Sequence, residues 1–199
     1  QNETVKSMET QASASGASLQ ISTFNDYKLW EKESVSVNSS GRELYGESFE
    51  TTLSQNFKVS IPGITNDTGL ATLSFIAKPT SGTGTVTMSI NGSQTISGSF
   101  AQNTSEYIMA RELNQTVTWS GDKTENTTVN IQYNTAGHKN VRLNYFCLQM
   151  FRTLQLYDAY TLFRSVSSIG NTSRFVIQNA TSGLLVFDVT DGVNPKLME

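Results

Sequence analysis

Cysteine is almost missing from this chain: Cys147 stands alone among 199 residues. A single thiol closes no internal disulfide, so the fold is not a stapled scaffold. Histidine also occurs once, at His138, and a tetrahedral zinc site would have to lean on carboxylates. Charged residues make up only 16% of the chain, against about a quarter in an average soluble domain. The net charge is −3, from 14 basic and 17 acidic residues, and no basic run or stripe is present. A phosphate-binding face needs clustered Lys and Arg, which argues against nucleic acid as a partner. No apolar run approaches the ~20 residues that span a bilayer, and no signal peptide begins at Gln1. Walker loops and glycine-rich dinucleotide fingerprints are missing too, and no cofactor is implied.

What fills the chain is Ser, Thr, Asn and Gly, set in period-two patterns. From Phe49 to Ile61, the apolar residues Phe49, Leu53, Phe57, Val59 and Ile61 share one face, as in a half-buried strand. Ala71, Leu73, Phe75 and Ala77 repeat the pattern, and Pro79 ends it. Val86, Met88 and Ile90 lead to Asn91-Gly92 and then Ile96 and Phe100, a strong hairpin signal. Further strands are expected at Thr116–Ser120, with Val117 and Trp119 inward, and at Thr127–Tyr133. The run Val141–Phe151 becomes apolar on both faces from Tyr145, as a central strand does. The nearest thing to a helical stripe is the short segment Glu106–Leu113.

The expected fold is all-β: an antiparallel β-sandwich or jelly roll, followed by the first strands of a second domain. Residues 1–26 read as a flexible leader or linker, since the first twenty are polar and small. Residues 27–164 form the sandwich. Residues 165–199 form a linker (Ser165 to Ser173) and then a hairpin of Arg174–Ile177 with Leu184–Val189, cut off before the domain is complete.

Few residues offer chemistry. Cys147 and His138 are compatible with a thiolate nucleophile and its base. The competing reading puts Cys147 on the core face with Val141, Leu143 and Tyr145 as a buried structural thiol, and His138 in a turn. Asp188 and Asp191, with Asn194, present oxygens to a cation, but their spacing fits an Asx-rich turn before Pro195 better than a calcium loop. Trp30, Tyr45, Tyr107 and Trp119 are aromatic candidates for stacking a sugar, with core packing as the alternative for each. The stretch "SSGRELYGESF", Ser39 to Phe49, reads as a structural corner. Gly41 and Gly46 open backbone angles closed to other residues, Tyr45 and Phe49 pin the corner to the core, and Arg42 pairs with Glu43 or Glu47 at the surface.

Three stretches in order carry a family resemblance. "SSGRELYGESF", with Gly41, Arg42, Gly46, Glu47 and Phe49, resembles the Ser-Gly-Arg-aromatic-aromatic-Gly-Glu-x-Phe signature ahead of the catalytic domain in PorU-type proteins. These are gingipain-family cysteine peptidases of Bacteroidetes that serve as the sortase of type IX secretion. "VRLNYFCLQMFRTLQLYDAYTLFRS", Val141 to Ser165, is similar to that family's Leu-Asn-Tyr-x-x-Leu strand and the Arg and Leu-rich stretch after it. "SRFVIQNATSGLLVFDVTDGVNP", Ser173 to Pro195, resembles its Phe-x-Ile…Val-Trp-Asp-Val-Thr-Asp-Pro lead into the peptidase region. Leu44, Cys147, Phe187 and Gly192-Val193 depart from the pattern. The resemblance implies an exported parent at the cell surface, associated with the outer membrane, that cleaves carboxy-terminal sorting domains from cargo. Its catalytic His and Cys would lie in a peptidase domain downstream in the same chain, so His138 and Cys147 do not inherit those roles. Other secretion-system surface proteins or glycans are the further partners it implies. A carbohydrate-binding or adhesin module is the alternative.

Overall fold

The computed structural model describes residues 8–39 and 41–199. Residues 1–7 of the expected leader, and Ser40, lie outside the described residues. Thirteen strands follow in chain order: β1 (Glu9–Gln11), β2 (Leu19–Ile21), β3 (Thr23–Glu31), β4 (Ser54–Ser60), β5 (Gly69–Lys78), β6 (Gly84–Ile90) and β7 (Ser93–Phe100). Then come β8 (Arg111–Trp119), β9 (Asn126–Tyr133), β10 (Lys139–Thr153), β11 (Ser173–Phe175), β12 (Val186–Asp188) and β13 (Lys196–Met198). Among the described residues the only helix is one 3-10 turn, Val166–Ser168. Two compact units result: Asn25–Thr153, and a second formed by both chain ends, up to Phe24 and from Leu154.

The unit Asn25–Thr153 is a sandwich of two four-stranded sheets, in the orders β3-β10-β5-β8 and β4-β9-β6-β7. Successive strands alternate between the sheets, apart from the β6–β7 hairpin, which is the wiring of an eight-stranded jelly roll. The inward residues of each strand meet in one core. Ala71, Leu73, Phe75 and Ala77 of β5 face it with Phe146, Leu148 and Met150 of β10, and the other sheet supplies Val86, Met88, Val129, Ile131 and Tyr133. Phe75 sits at the centre of a ring cluster with Phe49, Phe100 and Tyr133, at centroid distances of 5.2, 6.2 and 6.1 Å. Asn91 and Gly92 turn the β6–β7 hairpin with φ of 50° and 84°, the left-handed pair a tight hairpin twist needs.

Two expectations need correction, the face of Cys147 and the C-terminal hairpin. The segment Glu106–Leu113, only the nearest thing to a helical stripe, is an irregular loop in its first part, and β8 starts at Arg111. That loop is tied by Asn103, whose Nδ2 donates to Ile108 O and whose own backbone N–H donates to Pro79 O. The core face of β10 changes phase between Leu143 and Tyr145, where the pairing with β5 slips by one residue. Past that bulge Phe146, Leu148 and Met150 point inward, and Cys147 moves to the opposite, polar face. Lastly, the two C-terminal runs do not form a hairpin with each other: β11 pairs with β2, and β12 pairs with β13.

The second unit is built differently. β1 pairs in parallel with β13, and β2 pairs in parallel with β11. The polar segment read as a leader therefore supplies two strands. Each is three residues long, too short to show a period. Among the described residues of this unit, Ile21, Phe24 and Leu154 are the buried apolar ones. Phe163 packs edge-on to Phe24 at 6.5 Å and against Phe175 at 5.5 Å.

Candidate functional site: the Ser39–Phe49 corner

The corner is closed by an isolated two-residue bridge. Tyr45 N–H donates to Val35 O (2.9 Å), and Val35 N–H donates to Tyr45 O (3.1 Å). Ser39 and Gly41 take φ of 58° and 65° at the tip, and a Cβ at Gly41 would meet nothing within 4 Å. Gly41 is thus there for its backbone angle. Gly46 is there for a different reason. Its φ is ordinary, but a Cβ would lie 2.9 Å from Lys32 O and 3.1 Å from Lys32 Cβ. The backbone here is also paired with the neighbouring strand β10: Gly46 N–H donates to Leu143 O (2.8 Å), Leu143 N–H to Glu47 O (3.0 Å), and Phe49 N–H to Val141 O (2.8 Å). The segment after the corner lies along the first part of β10. Arg142 Nη1 donates to Gly46 O at 3.0 Å, and Phe49 is wholly buried against Phe75.

The side chains of the corner pair otherwise than expected. Glu43 accepts from the Tyr45 hydroxyl at 2.9 Å, and Glu47 accepts from Trp30 Nε1 at 3.3 Å, so neither carboxylate holds Arg42. Glu47 Oε2 is buried and has no hydrogen-bond partner. Burial, and then the Glu43 carboxylate, push the Tyr45 phenol up to about 12. An open notch of about 230 Å³ is lined by Asn38, Arg42, Glu43 and Tyr45.

The aromatic candidates separate cleanly. Tyr45 is buried, and Trp119 is buried with the Lys123 ammonium 5.0 Å from its ring centre. Trp30 is stacked on Phe146 at 6.1 Å and meets Phe57 edge-on at 5.0 Å, while 36% of it stays exposed. Tyr107 alone is fully presented, at 95% exposure.

His138 is 2% exposed, and both ring nitrogens are occupied. Nε2 donates to Ser81 O and Nδ1 accepts from the Tyr133 hydroxyl, each at 2.8 Å. Burial raises the Tyr133 phenol to about 12, so it remains a donor. Cys147 is half-buried on the polar sheet face opposite Thr72, and burial raises its thiol. A nucleophilic thiol requires the opposite shift and a free base. Asp188 Oδ1 accepts from Thr190 N–H, while Asp191 Oδ1 and Oδ2 accept from Val193 N–H and Asn194 Nδ2. The side-chain bonds from Thr190 and Asn194 hold the two carboxyls below their usual range. These are Asx turns. Among the described residues, no group of three His, Cys, Asp or Glu is placed to hold a metal.

One strong polar contact had no signal in the sequence. Arg152, buried near the end of β10, pairs with Asp26 of β3 at 2.7 Å and donates from Nε to Pro62 O at 2.7 Å. Only the fold brings residues so distant in sequence together.

The class defined by this geometry is a jelly-roll module whose single His is engaged at both ring nitrogens and whose single Cys is half-buried with a raised thiol. No protein-family model matches the chain, and no curated protein matches it. Among solved structures, dimeric latent PorU from Porphyromonas gingivalis superimposes with a TM-score of 0.83 over 96% of this chain, at 22% identity. The chain spans 19% of that PorU chain's length. At that identity the likeness shows the fold: this chain has the architecture of a region of PorU. A family 35 carbohydrate-binding module from an environmental isolate (TM-score 0.40, 11% identity, 67% of this chain and 97% of that one) superimposes far more loosely. The same holds for the family 35 module of Cellvibrio japonicus Abf62 (0.39, 10% identity, 69% and 94%). Superpositions that loose carry no weight for this chain. No helix among the described residues is long and apolar enough to cross a membrane.

Proposed function

We propose that this chain is a non-catalytic β-sandwich module of an exported, cell-surface, gingipain-like cysteine peptidase that acts as a sortase on secreted cargo. The observation that carries the reading is the agreement in fold with PorU across 96% of this chain. The three ordered motifs support it independently of the superposition. So does the engagement of His138 with Tyr133 and Ser81, which leaves Cys147 no base. In this reading the peptidase His and Cys belong to a downstream domain of the same polypeptide, and residues 165–199 begin the passage toward it. Secretion-system surface proteins or glycans are its further partners, and Bacteroidetes its source.

Within the module, the corner is proposed to be structural. Gly41 and Gly46 shape it, Phe49 anchors it, and Arg42 and Glu47 border it. The alternative of a glycan-binding module receives less support, because Tyr45 is buried and Trp30 packs on two rings.

The test compares this chain with its full-length parent on a cargo protein bearing a carboxy-terminal sorting domain. The parent is expected to cleave the cargo, and the isolated chain to leave it intact. Cleavage by the isolated chain, or none by the parent, would overturn the reading.

A further inference from the structure

Residues 101–110, between β7 and β8, are irregular in shape but closely held. Asn103 is the brace, a polar side chain only 4% exposed. Its N–H donates to Pro79 O at 2.7 Å, its Oδ1 accepts from Ser105 N–H at 3.1 Å, and its Nδ2 donates to Ile108 O at 3.3 Å. Lys78 Nζ donates to Ser105 O at 2.7 Å, and Ser105 Oγ accepts from Tyr107 N–H at 3.3 Å. Asn140 Nδ2 donates to Met109 O at 2.7 Å. Asn140 holds a left-handed φ of 50° inside β10, and its own N–H donates to Glu50 Oε1 at 2.8 Å. A strand residue persists in that conformation only where its surroundings fix it.

Each of these ties engages main-chain atoms, and the side chains at the tip are left outside. Tyr107 is 95% exposed, Met109 42% and Ile108 40%. Apolar groups on a loose loop lose much of a contact's benefit to ordering, whereas a braced loop is ordered beforehand. Tyr and Met are enriched at the centres of protein interfaces. The polar side chains around the loop are already engaged. The amides of Gln102, Asn103 and Asn140 and the Lys78 ammonium all donate to main-chain carbonyls, which leaves few donors for a sugar's hydroxyls. Among the exposed charges beside the loop, Glu106 and Glu112 offset Arg111 and Lys139, so no cationic collar draws it to an anionic membrane.

The patch is small. Three such side chains at these exposures offer on the order of 300 Å², against the ~800 Å² per partner of a stable free complex. Two free proteins would not stay together on it, but a tethered domain, at an effective concentration in the millimolar range, would. We infer that residues 106–109 are a docking knob for an apolar pocket on a further domain of the same polypeptide, with Tyr107 as the inserted side chain. This rests on the reading of the chain as one module of a longer protein. It concerns how the module is seated, not what the peptidase cleaves.

The test is hydroxyl-radical footprinting, read by mass spectrometry, on the isolated chain and on the full-length protein. Tyr107 and Met109 are expected to oxidise about tenfold more slowly in the full-length protein, because an effective concentration well above the intrinsic Kd leaves few knobs undocked. The buried Met88 and Met150 stay slow in both. Tyr107→Ser in the full-length protein is expected to return Met109 to its rate in the isolated chain. The same substitution should leave the melting temperature of the isolated chain unchanged, because the ring lies in solvent. Equal labelling of Tyr107 in the two proteins, or a Met109 that stays slow after Tyr107→Ser, would overturn the inference. Protection in the isolated chain that grows with its own concentration would assign the knob to a second copy instead. Protection on adding phosphatidylethanolamine–phosphatidylglycerol vesicles would assign it to lipid. A parent with no further domain sinks both this inference and the module reading. A parent that cleaves its cargo while Tyr107 stays open sinks the inference alone, and a docked knob without cargo cleavage sinks only the sortase role.

Discussion

The two compact units solve the same problem with opposite means. The sandwich, Asn25–Thr153, buries more than twenty apolar residues in one cluster, among them Phe49 and Phe100 around Phe75 and Tyr133. The unit of the chain ends buries Ile21, Phe24 and Leu154, and relies on backbone pairing between segments far apart in sequence. Burial at about 25 cal/mol per Å² of apolar surface stabilises the first cooperatively. The second is a set of short, separable pairings of the kind that open locally. The lesson is that a shared all-β character conceals two regimes. One is set by side-chain periodicity, and the other by which backbone segments happen to lie side by side.

The sharpest way to break this comparison is a pair of matched truncations. Phe75→Ala removes a fully buried ring and is expected to cost about 3–5 kcal/mol, unfolding the sandwich in a cooperative urea transition at much lower concentration. Phe163→Ala removes a half-buried ring from the other unit and is expected to cost about 1 kcal/mol or less in the same transition. Equal effects would mean that the units share one cooperative core.

A second pair tests the corner. Gly46→Val drives a side chain into Lys32 O and is expected to cost about 1–3 kcal/mol, lowering the melting temperature by several degrees. Gly41→Ala meets no atoms and pays only for its left-handed backbone, about 1 kcal/mol. If Gly41→Ala is the worse of the two, close approach is not what Gly46 provides.

Alkali provides a third, gentler probe. The Tyr45 and Tyr133 phenols are both held near 12 in the fold, against an ordinary value near 10. Raised acid pKa values mean that the folded state keeps its protons longer, so ionisation favours unfolding. Their contribution is complete below pH 10 and is lost as pH climbs toward 12. Absorbance titration should show these two of the seven tyrosines ionising late, together with loss of sandwich structure. Two phenols titrating freely near pH 10 in the folded protein would contradict the burial described.

The smallest expected effect is on reactivity rather than stability. Iodoacetamide at neutral pH should alkylate Cys147 more slowly in the native chain than in urea, because burial raises its thiol. Faster labelling of the native protein would reopen the thiolate reading.

Legibility in the sequence follows the same division. Alternation exposed Phe57, Val59 and Ile61 because β4 has one wet side, and it exposed the β5 face, though β5 is buried on both sides, because small polar residues, Thr72 and Ser74, alternate with Ala71, Leu73 and Phe75. The Asn91-Gly92 turn was legible because its angles demand those residues. Alternation was blind to the bulge after Leu143, which carries no residue of unusual type, and so the face of Cys147 was misassigned. The parallel pairing of β1 and β2 was invisible because three polar residues show no period. At the corner, the glycines were recognisable as special, but their separate reasons were not: an angle belongs to Gly41 itself, whereas the crowding at Gly46 comes from Lys32 and Leu143. His138 was read as a turn residue, and its burial depends on Tyr133 and on Ser81, which is distant in sequence.

The most direct measurement is to read the parent coding sequence beyond Glu199. The account expects several hundred further codons that place a His and a Cys in a gingipain-like peptidase domain. A stop codon at that point, or an array of further sandwich modules with no peptidase, would contradict it.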